Sequence, residues 1–397
     1  MKKRILIVSG VFPPEPLTSA YLNYDLAEAL SDEFDVTVLR PRPTRPINTD
    51  YSGVTLDYDK PFKCITLNTF THPEASIVGR TRETISFGHA CARYIKAHRS
   101  EIDFIYNSSW QLFGYYIVAK AAVKCSIPYI VPIQDIYPEC VFDPVSGGLI
   151  KRLLYKTLLP FDKYYQAHAY RVRTISDEMA DYLSKSRGVP RNNYLIVNNW
   201  QEDSLFENLK QPDHDKVVFG FVGSINKTSR VEYMIKSFIR ANIPNAELRV
   251  YGNGVDRAAC EELVKSKNIK NVFFDSVPRD KVPSVQSDCD VLLSALPKGL
   301  AGLCLPSKLT SYMLTGRAVI VSVDEDSATA RYIREAQCGY VVAPDNEEAL
   351  AEVFRAIVAE GKERIIEYGY NSKQYAAKYL SKEANLKLVV ESVKSAL

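Results

Sequence analysis

Arg4-Ile5-Leu6-Ile7-Val8-Ser9-Gly10 sets the fold class. A strand with one face in water alternates apolar and polar residues. The uninterrupted run from Ile5 to Val8 reads instead as a strand buried on both faces, as in a parallel sheet. The turn Phe12-Pro13-Pro14-Glu15-Pro16 follows. Ser19 then stands as a helix cap, with Leu22, Leu26 and Leu30 at helical spacing. Asp35–Leu39 (DVTVL) is the next strand. Strand, helix and strand in this order form the crossover unit of a parallel sheet.

The alternation extends outward from this unit. Further strands are expected at Cys64–Phe70, Phe104–Ser108, Tyr129–Gln134, Val172–Ser176 and Tyr194–Asn198. Helices are expected near Val78–His98, Leu112–Cys125, Gly148–His168 and Asp177–Ser186. The proline-bearing stretch Arg40–Lys63 reads as a surface excursion. Gln201–Lys216 is polar and acidic and reads as a linker. A second series then begins, with strands at Val217–Gly223, Ala246–Tyr251, Val272–Phe274, Val291–Leu296, Val319–Val323 and Gly339–Val342. Its helices are expected at Arg230–Ala241, Asp256–Ser266, Lys308–Leu314, Ser327–Glu335 and Glu347–Ala359. The fold class is thus α/β, with two tandem Rossmann-like doubly wound domains expected to face across a deep cleft. Residues 1–200 form the first domain and 217–375 the second. Residues 376–397 are a C-terminal helix expected to return to the first. In such sheets ligands bind beyond the carboxyl ends of the strands, where the strand order reverses.

Composition narrows the function classes. Of 397 residues, 46% are hydrophobic and 24% charged, ordinary for a folded protein and inconsistent with a disordered one. Lys+Arg 50 against Asp+Glu 47 excludes a strongly basic nucleic-acid binder. The eight cysteines include no Cys-x-x-Cys pair and there are five histidines, so a structural zinc site is not expected. Most of the cysteines lie in apolar runs and read as buried thiols of a reducing compartment. The apolar stretch after the first residues is short for a signal peptide, and no run reaches about 18 apolar residues. A cytoplasmic location is the expectation.

No Gly-x-Gly-x-x-Gly follows the first strand and no Walker loop occurs, so phosphate must be held in another way. Leu305-Pro306-Ser307-Lys308-Leu309 ends a loop and opens a helix. Proline suits an early helical position, Ser307 suits a cap, and the free N–H groups with Lys308 form an anion site. The same residues also suit a plain capped helix with a surface lysine.

At this point the chain resembles a known family, the GT-B glycosyltransferases, specifically family 4 of the retaining enzymes. ILIVSGVFPPEP with NYDLAEAL is similar to that family's acceptor-side loop and first helix. QDIYPE (Gln134–Glu139) resembles the Asp-x-x-Pro-Glu signature of its sugar-amine branch. FGFVGSI, LRVYGNG, the stretch from LPSKL to CGYVV and EEALAEVF follow the family's C-domain in order. The likeness spans nearly the whole chain. It is strongest toward transferases of O-antigen and capsule repeat units, including L-fucosamine transferases. It implies transfer, with retention, of an N-acetylated amino or deoxy sugar from a UDP-sugar to a glycan on an undecaprenyl diphosphate carrier. It implies neither a metal nor another cofactor.

Residue by residue, the resemblance assigns Gly223 and Ser224 to the turn at the donor phosphates. It assigns Gly252, Asn253 and Gly254 to a glycine turn near the nucleotide, and Val277 to reading the base. Pro306, Ser307, Lys308 and Leu309 fall on the diphosphate and ribose segment. The family's two glutamate positions are Leu303 and Ser311 here. Its basic pair falls at Ser224 and near Ser229, with Lys227 and Arg230 close by as substitutes. Its N-domain histidine is Gln134, beside Asp135.

Asp135 ends a strand and suits orienting or deprotonating an acceptor hydroxyl, or capping the next turn. Glu15, His72 and Glu139 are further acceptor-side candidates, each also readable as an ordinary loop residue. Gly147–Arg173 interleaves Lys151, Arg152, Lys156, Lys163, Arg171 and Arg173 with leucines and has one acid, Asp162. That pattern suits an anionic bilayer surface, or a packed helix with a solvated basic face. A non-catalytic GT-B protein that binds a glycan or a partner transferase is the second function reading.

Overall fold

The computed structural model describes residues 2–46, 49–51, 60–72, 74, 76–140, 148–299 and 305–397, the side chains of Arg279 and Ser307 excepted. The chain forms two units, Met1–Val197 with Leu386–Leu397, and Asn198–Asn385.

The first unit is built on seven parallel strands: β1 (Arg4–Ser9), β2 (Asp35–Arg40), β3 (Lys63–Thr66), β4 (Phe104–Ser108), β5 (Tyr129–Pro132), β6 (Arg171–Thr174) and β7 (Tyr194–Ile196). Their order is β3-β2-β1-β4-β5-β6-β7. Ile5 pairs with Val36 on one side and Phe104 on the other. Ile5–Val8 are fully buried, as their unbroken apolar run requires. The order reverses between β1 and β4, which fixes the crevice of this unit.

The second unit has six parallel strands: β8 (Val217–Val222), β9 (Ala246–Tyr251), β10 (Val272–Asp275), β11 (Val291–Ala295), β12 (Ala318–Ser322) and β13 (Gly339–Val342). Their order, β10-β9-β8-β11-β12-β13, reverses between β8 and β11. Phe219, Phe238 and Phe354 meet edge to face in one core layer. Val222, Leu292, Leu309 and Tyr312 lie in the other.

Several local expectations change. The first helix spans Thr18–Ser31, with Leu17 at its cap position and no side-chain cap bond, so Ser19 is helical rather than the cap. The stretch read as a linker packs into the second unit, where Phe206 is buried. Arg40 and Arg45, in the supposed surface excursion, are buried. A short helix, Val282–Ser287, escaped the sequence reading because its apolar run is brief and contains a proline. Of the described cysteines, Cys91, Cys125, Cys260, Cys289 and Cys338 are buried, whereas Cys140 is exposed. Among the described residues no helix is long and apolar enough to cross a membrane.

Candidate active site

In the second unit the reversal between β8 and β11 gathers three segments. β8 is followed by Gly223, whose φ of 154° lies where side chains are strained. A Cβ on Gly223 would meet the Lys308 Nζ at 3.1 Å, so the lysine lies across the strand end. β9 is followed by Gly252, where a Cβ would stand 1.9 Å from the Gly223 carbonyl oxygen. Glycine is therefore required by backbone contact between the two turns. The turns are stitched by bonds from the Gly223 N–H to the Tyr251 carbonyl (2.9 Å) and from the Ile225 N–H to the Asn253 carbonyl (2.9 Å).

The helix Ser307–Leu314 follows β11 and brings in Lys308. Pro306 occupies its cap position, which corrects the assignment of that role to Ser307. A cap proline has no side-chain acceptor, so the first N–H groups of the helix gain no cap bond. The Tyr312 hydroxyl accepts from the Val222 N–H (2.9 Å) and donates to the Val222 carbonyl (3.1 Å), fixing this helix to the end of β8. The Lys308 ammonium sits 4.2 Å from the centre of the Phe221 ring. Burial lowers its pKa to about 8. Among the described residues no carboxylate pairs with it. A desolvated cation facing a glycine turn, without a counter-charge, is suited to take an anion.

Leu309 of this helix is buried in the core, and Ser311 donates to the Gln286 carboxamide oxygen at 2.6 Å. Leu303 lies outside the described residues, as does the Ser307 side chain. Asn253 is held by Arg257, whose Nη1 donates to the Gly252 carbonyl and to Asn253 Oδ1, both at 2.9 Å, and to the Asp275 carbonyl at 3.3 Å. Arg257 thus joins the ends of β9 and β10, and Val277 follows in the next loop, half-buried. At Gly254 a Cβ would meet the Ile225 carbonyl oxygen at 2.0 Å. Ser224 is exposed and accepts from Asn226. Lys227 and Arg230 line a separate cavity of about 390 Å³ with Asp256, Asp345 and Glu347, and Lys308 is not in its wall. There Arg230 is paired with Asp345.

In the first unit a cavity of about 600 Å³ opens at the carboxyl ends of β1, β4 and β5. Gly10, Trp110, Gln134, Asp135, Arg45 and Glu83 are in its wall. Asp135 reaches solvent at the rim, yet partial desolvation raises its carboxyl above the ordinary value. Arg45 donates to Glu83 Oε2 (2.5 Å) and lies 4.7 Å over the Trp110 ring. Arg45 Nε, Trp110 Nε1 and Gln111 Oε1 have no hydrogen-bond partner among the described residues.

Three acceptor-side candidates sit outside this wall. Glu15 is buried, its Oε1 accepting from the Thr44 and Arg45 N–H groups at 2.9 Å. Burial raises its carboxyl despite those bonds. It holds the loop that carries Arg45. The His72 ring packs on Gly79, where a Cβ would stand 2.1 Å from it, and against Phe70. Glu139 is buried rather than solvated, because Arg187 takes it bidentately at 2.7 and 2.8 Å.

The sequence reading missed Arg45, Trp110, Arg187 and Arg257. Trp110 carried a signal, since it follows β4 at the ligand-binding edge. Arg45 and Arg187 carried none, because their partners are buried acids distant in sequence, and Arg257 pairs locally with Asn253 and Glu261 but reaches the Asp275 carbonyl only in the fold.

Residues 20–200 match the family described as "Glycosyl transferase 4-like domain", and residues 203–373 match "Glycosyl transferases group 1". Fold and matches define the class: two parallel-sheet α/β domains of the GT-B type, a glycosyl transferase 4-like domain followed by a group 1 domain. Among curated proteins, the chain is 22% identical over 246 residues to the "Probable glycosyltransferase WbjE" of Pseudomonas aeruginosa, covering 58% of this chain and 59% of that one. It is 24% identical over 264 residues to the "Putative colanic acid biosynthesis glycosyl transferase WcaI" of Escherichia coli K12, covering 63% and 62%. The chain therefore matches about three fifths of the length of these relatives. Among solved structures, Anabaena HepE in complex with UDP superposes with a TM-score of 0.71 at 14% identity, over 99% of this chain and 100% of that one.

Proposed function

We propose that the chain is a retaining glycosyltransferase that moves a sugar, of the N-acetylated amino or deoxy type, from a UDP-sugar to a lipid-linked glycan in surface polysaccharide synthesis. The observation that carries this reading is the Lys308 ammonium across the Gly223 turn, paired with no carboxylate among the described residues, at the start of the Ser307–Leu314 helix. HepE, solved with UDP, and WcaI, named for colanic acid biosynthesis, support the donor and the pathway class.

In the proposed reaction the bond from the sugar's anomeric carbon to the diphosphate breaks. A bond to the acceptor oxygen forms on the same face, and the acceptor proton passes to the leaving diphosphate. Negative charge grows on the diphosphate, where Lys308 and the helix-start N–H groups stabilise it. Asp135, at the rim of the first unit's cavity, orients the acceptor hydroxyl. No resident metal or other cofactor is part of the proposal. A lipid-linked acceptor places the protein on the cytoplasmic membrane face. The helix Leu149–Ala167 serves that contact, with Leu149, Ile150 and Leu153 exposed among Lys151, Arg152 and Lys156. Gly147, the start of the stretch singled out in the sequence, lies outside the described residues.

Calorimetry with UDP-, GDP-, TDP- and CMP-sugars, on wild type and Lys308→Ala, tests the donor site. Micromolar binding of a UDP-sugar, weakened about tenfold or more in the variant, is expected. Equal affinity in the variant would sink the assignment. The second reading draws on Ser311, a buried hydroxyl bonded to Gln286 where many family members carry a glutamate. Donor binding without turnover on any lipid-linked glycan, together with a stable protein partner, would favour that non-catalytic binding role.

A further inference from the structure

Three helices of the first unit, Ile77–Ala97, Phe113–Cys125 and Leu149–Ala167, share an uneven charge distribution. Together they carry Arg80, Arg82, Arg93, Lys96, Lys120, Lys124, Lys151, Arg152, Lys156 and Lys163. Their only carboxylates are Glu83 and Asp162, both buried and ion-paired to arginine. The outer layer therefore presents cations without exposed acids, although the whole chain is nearly neutral. An apolar groove of about 420 Å³ lies within this layer. Phe113, Tyr116, Ile117 and Phe161 form its floor, and Lys96, Lys120 and Lys124 line it as well. Phe161 stands edge-on to Phe113 (5.3 Å) and Tyr116 (4.9 Å). Lys96, Lys120 and Lys124 are exposed.

We propose that this groove is an anionic phospholipid site: one acyl chain lies on the aromatic floor and the headgroup phosphate meets the three lysines. The charge pattern selects the occupant. An apolar partner protein needs no cations, and a soluble anion needs no aromatic floor. A bilayer phospholipid with a negative headgroup uses both. The inference rests on the membrane contact proposed above and deepens it by adding a specific site, the groove that Phe161 of the Leu149–Ala167 helix shares with the two neighbouring helices.

Vesicles of phosphatidylglycerol and phosphatidylcholine, sedimented with the full chain, test the site. Wild type is expected to bind phosphatidylglycerol vesicles, and the triple variant Lys96→Gln, Lys120→Gln, Lys124→Gln to bind them more weakly by about tenfold or more. A separate variant, Phe161→Trp, places a fluorophore on the groove floor. Phosphatidylglycerol with brominated acyl chains is expected to quench its added emission, and brominated phosphatidylcholine to leave it unchanged. Three results would overturn the proposal: no wild-type binding, unchanged binding by the triple variant, or no quenching of the Phe161→Trp variant beyond that of wild type while the protein remains on the vesicles. UDP binding by the same samples separates the two readings. Loss of vesicle binding with UDP binding retained removes the groove alone, and vesicle binding without UDP binding removes the transferase reading alone.

Discussion

Lys308 shows how its surroundings change the chemistry of one side chain. A lysine in water titrates near 10.4. Burial beside Phe221 and Gly223 lowers this one to about 8, because desolvation penalises the charged form. A bound diphosphate restores the charged form and raises the value again. UDP affinity is therefore expected to be constant below pH 7 and to fall as pH rises through 8, by up to about tenfold per pH unit. Calorimetry from pH 6.5 to 9.5 measures this. Lys308→Ala should be weak and flat across the range, and Lys308→Arg, which stays charged, should be flat as well. A wild-type affinity independent of pH would remove the desolvated ammonium from the donor site. The place of this residue at a helix start was legible in the sequence, because proline, serine and lysine there form a local pattern. The same holds for Gly223 and Gly252, whose value lies in lacking a side chain. Arg45 and Arg257 were not legible. Arg45 owes its burial to Glu83 and Trp110, and Arg257, besides its neighbours Gly252 and Asn253, reaches the Asp275 carbonyl of β10; the long-range half of each relation has no local spacing to read.

At the scale of elements, the loop after Asp135 is braced from beneath. Arg187 closes the helix Asp177–Arg187 and is buried. Its guanidinium takes Glu139 bidentately, donates to the Tyr137 carbonyl at 2.8 Å, and pairs with Asp162 of the helix Leu149–Ala167. Burial alone would raise the Glu139 carboxyl, but the bonds and charge of Arg187 outweigh it and hold the group below its ordinary value. For Asp162 burial wins and its carboxyl is raised. Replacing Arg187 leaves two buried carboxylates with no cation. Arg187→Met is expected to cost about 3–5 kcal/mol at neutral pH. The deficit should shrink as pH falls and both carboxyls take up protons. Urea unfolding of wild type and variant at pH 7.5 and pH 5 checks both statements. A deficit below about 1 kcal/mol at pH 7.5 would mean that the network adds little, as for exposed pairs. The strands around this loop were readable because both faces are buried. The brace was not readable, since Glu139, Asp162 and Arg187 lie on separate elements and meet only after folding.

For the molecule as a whole, each unit has its own sheet, its own core and its own strand-order reversal. The proposed division of labour follows from that: the anion site belongs to Asn198–Asn385 and the Asp135 cavity to the other unit. A ligand that binds only the folded form stabilises what it touches, by about 2.7 kcal/mol at one hundred times its dissociation constant. Amides that exchange through opening of that region should then slow by about a hundredfold. Hydrogen exchange on the full chain with saturating UDP is expected to protect the Gly223 turn, the Gly252–Gly254 turn and the Ser307–Leu314 helix. Peptides containing Trp110 and Asp135 should exchange at their original rates with the nucleotide alone, because the nucleotide contacts proposed lie in the other unit. Adding a lipid-linked glycan should then protect those peptides. Protection by UDP centred on Trp110 and Asp135, with the glycine turns unchanged, would reverse the assignment and make the first unit the donor site.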